Sequence, residues 1–424
     1  MRRYFIIILL LAGWASAGAQ SLVTLEACYG AAQANYPLLK QKEILARSEA
    51  LAVENLKLNG QLPQLAINGQ ATWQWQVTKL PIEMPGLAIP TLSKDQYRVT
   101  LDASYALYDG NLTQLQVEVQ RASTATAQQQ VEIELNHLKE QVSSLFLNAL
   151  LTDESRAITQ ALRNELNNRL EKIQSNVRFG TVAPMDADAL QAELLSARQR
   201  LAQLDAARRG LRESLAILTA LPIADSTELV VGALDSTSDA GNGAALARPE
   251  FRLYQAQRSL YDAQFQLTAG KTKPRLSLFA QGGGGRPGLN FLSNEFTGFF
   301  LGGLRLNWNL SSFYSLTNDR QMITLNRQGV DIRQATFERN LSLQLRQQQT
   351  EIDKLTAQLA TDAEIVALRG RVRRAAAVQL DNGAIAARDY TTELNAENQA
   401  QLSQKLHELQ LLQARIQYRT LLGN

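Results

Sequence analysis

The residues with reactive side chains are few and scattered. The 424-residue chain holds two histidines, His137 and His407, and one cysteine, Cys28. Zinc and similar ions are held by His and Cys at short, fixed spacings, and a disulfide needs a second thiol; this chain offers neither. It has no Gly-rich phosphate loop and no nucleophile elbow, so phosphoryl and acyl transfer lack their usual cradle and nucleophile. Lys and Arg number 43 against 40 Asp and Glu, which argues against binding driven by phosphate neutralisation. No enzymatic activity, cofactor, metal or nucleic acid is expected. Two carboxylates stand out by position: Asp186 and Asp389 each sit where a helix restarts after a glycine turn, the place of an N-cap.

Arg2 and Arg3 precede an apolar run, Tyr4 to Ala12, and the small-residue stretch Ala15-Ser16-Ala17-Gly18-Ala19. A positive end, an apolar core of about ten residues and a small-x-small site predict a secretory signal peptide over 1–19, cleaved after Ala19. A twin-arginine signal fits the very apolar core less well. Leu25-Glu26-Ala27-Cys28 faintly resembles a lipoprotein box but stands well beyond the apolar run. A small buried helix residue is the simpler reading of Cys28. The leader is too short for a membrane helix, which takes roughly 20 apolar residues, and no other segment qualifies. A mature chain that enters a membrane must do so with strands.

The prolines stand at 37, 63, 81, 85, 90, 184, 222, 249, 274 and 287, leaving 91–183 and 288–424 free of them. Both free runs are rich in Ala, Leu, Gln, Glu and Arg, the composition of long helices, since an interior proline costs about 3 kcal/mol. Long helices are predicted over about 111–180 and 314–382, and shorter ones over about 186–220 and 387–422. The first long helix would run on the order of 100 Å. Leu135, Leu138, Val142, Leu145 and Ala149 step by three and four, as do Leu162, Leu166, Leu170, Ile173 and Val177, and Ile352, Leu355, Leu359, Ala363 and Val366. Such a narrow stripe suits coiled-coil packing, and an ordinary coiled-coil rod would show it too.

Before each long helix the period changes to two. On about 64–76, Leu65, Ile67, Ala71, Trp73 and Trp75 oppose a face of Gln, Asn and Thr; on about 96–108, Tyr97, Val99, Leu101, Ala103, Tyr105 and Leu107 oppose Gln96, Arg98, Thr100, Asp102 and Ser104. A second pair, about 274–284 and 297–310, repeats this less regularly around Gly282 to Gly285. Alternation over about ten residues with terminal aromatics fits transmembrane barrel strands. Arg98, Asp102, Arg275, Arg305 and Asn307 would then face the lumen, and Trp73, Trp75, Tyr97, Tyr105 and Trp308 the membrane interfaces. Any one such strand would also fit a soluble sandwich.

The chain is written twice. Pro37 answers Pro249, Pro63 answers Pro274, Gly180 answers Gly383 and Asp186 answers Asp389. The first repeat spans 20–222 and the second 245–424, joined by a linker over 223–244. Each reads helix, hairpin, very long helix, turn, helix. Four strands per chain cannot close a barrel, because lipid forbids open sheet edges; two or three chains must share one.

Read together, several stretches resemble the TolC-like outer membrane efflux protein family. They are Thr24-Leu25-Glu26-Ala27 with Ala34-Asn35-Tyr36-Pro37, Pro63-Gln64-Leu65, Leu107-Tyr108-Asp109-Gly110, Arg178-Phe179-Gly180-Thr181-Val182 and Asn382-Gly383-Ala384-Ile385. The resemblance implies a mostly α chain with transmembrane β-strands, forming a homotrimer with a twelve-stranded β-barrel in the outer membrane, continued by a periplasmic α-helical barrel. It implies an exit duct for a tripartite efflux pump or a type I secretion system, partnered by a periplasmic adaptor and an inner-membrane transporter. Phe179, Gly180, Thr181, Val182 and Asp186, with Asn382, Gly383, Ala384 and Ile385, would form the adaptor-contacting tip. Arg388, Asp389, Thr392 and Glu393 would form the periplasmic gate. Family members carry a second acidic residue where this chain has Thr392, so a double acidic ring is not matched. The competing reading is a secreted coiled-coil scaffold or adhesin without a pore.

Overall fold

The computed structural model describes residues 22–77, 92–232, 248–290 and 293–423. The expected signal peptide therefore lies outside the described residues, as do most of the loop between the first two expected strands and the second half of the expected linker. The chain divides into two units, the first formed by Met1–Leu39, Glu134–Arg248 and Leu341–Asn424, the second by Lys40–Ile133 and Pro249–Asn340.

The second unit holds α2 (Leu38–Gln61), β2 (Gln64–Trp73), β3 (Asp95–Tyr108), the first part of α3 (Leu112–Arg178), α5 (Pro249–Lys271), β5 (Arg275–Arg286), β6 (Thr297–Asn307) and the first part of α6 (Ser312–Asp381). The four strands form one antiparallel sheet in the order β2-β3-β5-β6. The two hairpins are thus joined through β3 and β5, and among the described residues β2 and β6 are paired on one side only. Period two produces two unlike faces. Leu65, Ile67, Val99, Leu101, Leu278, Phe300, Leu304 and Leu306 all project from one face and are exposed, Ile67 at 77% and Phe300 at 74%. Among the described residues, an apolar face of that extent has no partner. A bulge at Leu107 puts Tyr108 opposite Leu276, just before the chain turns into α3.

Glycine lets the sheet close up where β5 meets β3. A Cβ on Gly283 would lie 2.2 Å from the Val99 carbonyl oxygen and 2.8 Å from Thr100 Cα. The glycine run that weakens the alternation pattern in sequence is therefore a place of close strand approach, and β5 runs unbroken through it to Arg286.

In the first unit, β1 (Leu22–Thr24) pairs in parallel with β4 (Glu228–Val230), a strand inside the stretch expected as linker. Thr24 then caps α1 (Leu25–Asn35) by accepting from Ala27 N–H at 3.2 Å. Cys28 is fully buried in α1. The remainder of α3 and α6 packs with α4 (Pro184–Thr219) and α7 (Ala387–Leu422). Arg212, 3% exposed, anchors the chain beyond α4: it donates to the carbonyls of Ala224 and Thr227, each at 2.8 Å, and to Asp153 on α3 at 2.6 Å. No described helix is long and apolar enough to cross a membrane.

Candidate functional site

Two turns join the helix pairs of the first unit, and they are built alike. Gly180 and Gly383 adopt φ of +73° and +70°, the left-handed conformation that glycine tolerates best. Gly180 N–H donates to the Val177 carbonyl and Thr181 N–H to the Asn176 carbonyl, both at 3.0 Å. In the second turn Gly383 N–H donates to Leu380 at 3.0 Å and Ala384 N–H to Gln379 at 2.8 Å. Each turn is therefore a Schellman closure that satisfies the last carbonyls of a long helix. Pro184 at the first position of α4 then restarts the helix.

The carboxylates expected as N-caps are not N-caps of their own helices. The capping positions are Ala183 and Ala386, neither of which makes a side-chain capping bond. Asp186 and Asp389 sit in the first turn, where a carboxylate still meets the positive end of the helix dipole. Their environments differ. Asp186 is half-buried and accepts from Ala387 N–H at 2.8 Å, so it caps α7, the counterpart of its own helix in the second repeat. Asp389 is exposed and makes no such bond. Arg388 beside it is exposed as well, and the carbonyl of Arg388 accepts from the hydroxyls of Thr391 and Thr392 at 2.8 and 3.0 Å. Glu393 lies 3.5 Å from Arg369 on α6.

Beneath the turns lies one apolar core. Leu166, Leu170 and Ile173 of α3, Leu190 and Leu194 of α4, Leu380 of α6, and Tyr390 and Leu394 of α7 belong to it, with Val182 and Ile385 from the turns packed against it. Phe179, in contrast, is 80% exposed. An ionic cluster tops this core, and sequence reasoning missed it. The fully buried Tyr390 donates its phenol hydrogen to Glu165 at 2.7 Å, and Arg169 donates to Glu165 at 3.1 Å and to Asp381 at 2.7 Å. Lys172 also meets Asp381 at 2.7 Å, and Arg373 meets Glu397 at 2.6 Å. Arg169 lies 5.2 Å over the Tyr390 ring. Three helices, α3, α6 and α7, are tied by charge and hydrogen bond above a shared core.

The titration behaviour follows from that packing. Burial opposes ionisation of Glu165, but the bonds from Tyr390 and Arg169 outweigh it and hold its carboxyl below the usual range. Burial, reinforced by the Glu165 carboxylate, pushes the Tyr390 phenol up to about 12. Lys172, and then Arg169, hold the Asp381 carboxyl below its ordinary value against a smaller effect of burial. Burial and the charge of Glu26 push the Cys28 thiol up to about 11, which makes it a poor nucleophile.

On the sheet, the polar face carries Arg98, Asp102, Arg275, Arg305 and Asn307 in the positions that strand alternation predicts. Asp102 accepts from Asn68, Gln281 and, at 3.2 Å, Thr100. Two aromatics share this face without having been read there: Phe279 lies opposite Gly303, and Phe299 opposite Gly283. Of the expected interface aromatics, Trp73 ends β2 and meets Trp75, just past the strand, edge to face at 6.3 Å. Tyr97 stacks on Phe296 at 6.4 Å, Tyr105 is exposed on β3, and Trp308, just past β6, donates from Nε1 to the Thr272 carbonyl at 3.0 Å. No described group of His, Cys, Asp and Glu is arranged to hold a metal ion.

Solved structures share this architecture from end to end. The outer membrane protein VceC of Vibrio cholerae superposes with a TM-score of 0.69 at 12% identity, covering 94% of this chain and 96% of its own. The fold is that of the TolC-like outer membrane channels. The MtrE outer membrane channel of Neisseria gonorrhoeae, in its open state, gives 0.67 at 16% identity over 94% and 89% of the two chains. The Campylobacter jejuni CmeC outer membrane channel gives 0.69 at 13% identity over 94% and 85%. No protein-family model matches the sequence, and no curated protein matches it. The TolC-like fold is thus carried here by a sequence only 12–16% identical to these structures, in a duplicated helix–hairpin–helix–helix order.

Proposed function

We propose that the protein is the outer membrane exit duct of a tripartite efflux pump or type I secretion system, passing cargo passively. One observation carries the reading: a four-stranded sheet with an exposed apolar face, a polar face and two half-paired edge strands, on a chain with the TolC-like fold. Such a sheet satisfies its backbone in lipid only when copies join edge to edge into a closed barrel. Three chains supply twelve strands and a polar lumen lined by Arg98, Asp102, Arg275, Arg305 and Asn307. The long helices of three chains form the periplasmic tunnel.

The two Schellman turns, with exposed Phe179, are the tip that meets the periplasmic adaptor, and an inner-membrane transporter loads the duct through it. Arg388, Asp389, Thr392 and Glu393 line the entrance, where three exposed Asp389 carboxylates around one axis repel each other and attract cations. Nothing in this scheme calls for catalysis. Outer membrane fractionation followed by planar-bilayer recording tests it: an ion-conducting outer membrane protein is expected, and a freely soluble periplasmic product that carries no current supports the coiled-coil scaffold instead.

A further inference from the structure

The polar face of the sheet is more than wet. Its charged positions within the strands are Arg98, Arg275 and Arg305 against the single carboxylate of Asp102. Asp102 is engaged by the neutral donors of Asn68, Gln281 and Thr100. Among the described residues none of the three arginines is within ion-pair distance of a carboxylate.

Two of the guanidiniums lie over aromatic rings, and the Asp102 carboxylate also acts on Arg305 through space. Arg305 lies 4.5 Å over the Phe279 ring. That ring covers Gly303 opposite it, where an added Cβ would come within 3.3 Å of Phe279 Cε1. Arg98 of β3 lies 5.9 Å over the Phe299 ring of β6, reaching across the intervening strand. The path is open because β5 presents Gly283 opposite Phe299 and Gly285 opposite Arg98, with no side chain to fill it. A guanidinium held over a ring is weakly hydrated and keeps N–H donors for a second partner. Its fork matches the two oxygens of a carboxylate or phosphate.

We propose that these guanidinium-on-phenyl pairs, Arg98 with Phe299 and Arg305 with Phe279, form an oxyanion-binding wall inside the barrel, which receives carboxylate- or phosphate-bearing cargo. The proposal rests on the channel reading and names its cargo class. Three chains present the wall three times around the lumen, so a multivalent anion is gripped from several sides. A uniformly basic lumen without ordered sites would repel cations but would show no dependence on the guanidinium fork.

The test is block of the purified full-chain channel in a planar bilayer by inorganic tripolyphosphate, added on the side of the strand loops. Wild type is expected to be blocked, with the half-blocking concentration raised about tenfold by Arg98→Gln combined with Arg305→Gln. Arg305→Lys, which keeps the charge and loses the flat fork, is expected to fall between them and guards against a double variant that fails to assemble. A conducting wild type that is not blocked, or equal block in wild type and both variants, overturns the proposal while leaving the duct standing. A correctly assembled protein that never conducts overturns the channel reading and this proposal with it.

Discussion

Asp186 Oδ1 accepts the backbone N–H of Ala387 at 2.8 Å, so the carboxylate that opens α4 caps α7, the equivalent helix of the other repeat. The bond crosses between the two halves of the duplicated chain at the level of both turns. It is not reciprocated, since Asp389, the equivalent of Asp186, stays exposed. Duplication supplied two like carboxylates, and the fold uses one to hold the turns together and leaves the other facing water.

Asp186→Ala therefore frees an N–H at the start of α7. The expected cost is about 1 kcal/mol, as for loss of an N-cap, with faster hydrogen exchange at Ala387 and its neighbours. Asp186→Asn keeps an accepting oxygen and is expected to exchange nearly as slowly as wild type. Equal exchange in wild type and the Ala variant would contradict the assigned bond.

The ionic cluster predicts how the helix ends respond to acid. Glu165 and Asp381 are held below their ordinary carboxyl values in the folded chain. Each contributes stability that is present above the unfolded value of about 4 and lost as the pH falls through the folded one. Tyr390 has the opposite sign: raised to about 12, it contributes fully below the ordinary phenol value and loses its contribution as the pH climbs through about 12. Tyr390→Phe removes the donor that helps keep Glu165 ionised, costs about 1–3 kcal/mol, and moves the acid transition to higher pH. Coincident acid titrations of wild type and the Phe variant, followed by circular dichroism, would rule out this coupling.

At Gly180 and Gly383 an added methyl group meets nothing within 4 Å, so only the backbone conformation resists substitution. Alanine at either position is expected to cost roughly 1–2 kcal/mol, the penalty of the left-handed region, and asparagine less. The check is the denaturant midpoint of each single variant; a cost well above that range would mean that the turn packs against something in the assembled protein.

Asp389→Ala tests the entrance. Removing three like charges from a narrow passage is expected to raise single-channel conductance and weaken block by a multivalent cation such as hexaamminecobalt added on the periplasmic side. Unchanged current and unchanged block would place the constriction elsewhere.

The parts of this fold that were legible in the sequence are those where one physical rule dominates a long stretch. Proline-free runs announced α3 and α6, and the three-four steps of Leu166, Leu170 and Ile173 marked residues that are indeed in the core. Alternation located the four strands, because a sheet with one apolar face and one polar face must alternate along each strand. Where several effects meet, the sequence misled or kept silent. Phe279 and Phe299 break the alternation yet face the polar side, each opposite a glycine of the neighbouring strand. Asp186 looked like a cap for α4, and only the folded turn shows which N–H it reaches. Glu165 and Tyr390 are 225 residues apart, and no local pattern links them. Tyr390, directly after Asp389 in an otherwise polar turn, was the one visible hint.

The central claim is that each chain brings four strands to a barrel shared with other copies. The direct measurement is the mass of the purified protein in detergent, by sedimentation with the detergent matched in density, before and after boiling. A trimer that dissociates only on heating is predicted; a monomer that stays soluble without detergent would contradict the account.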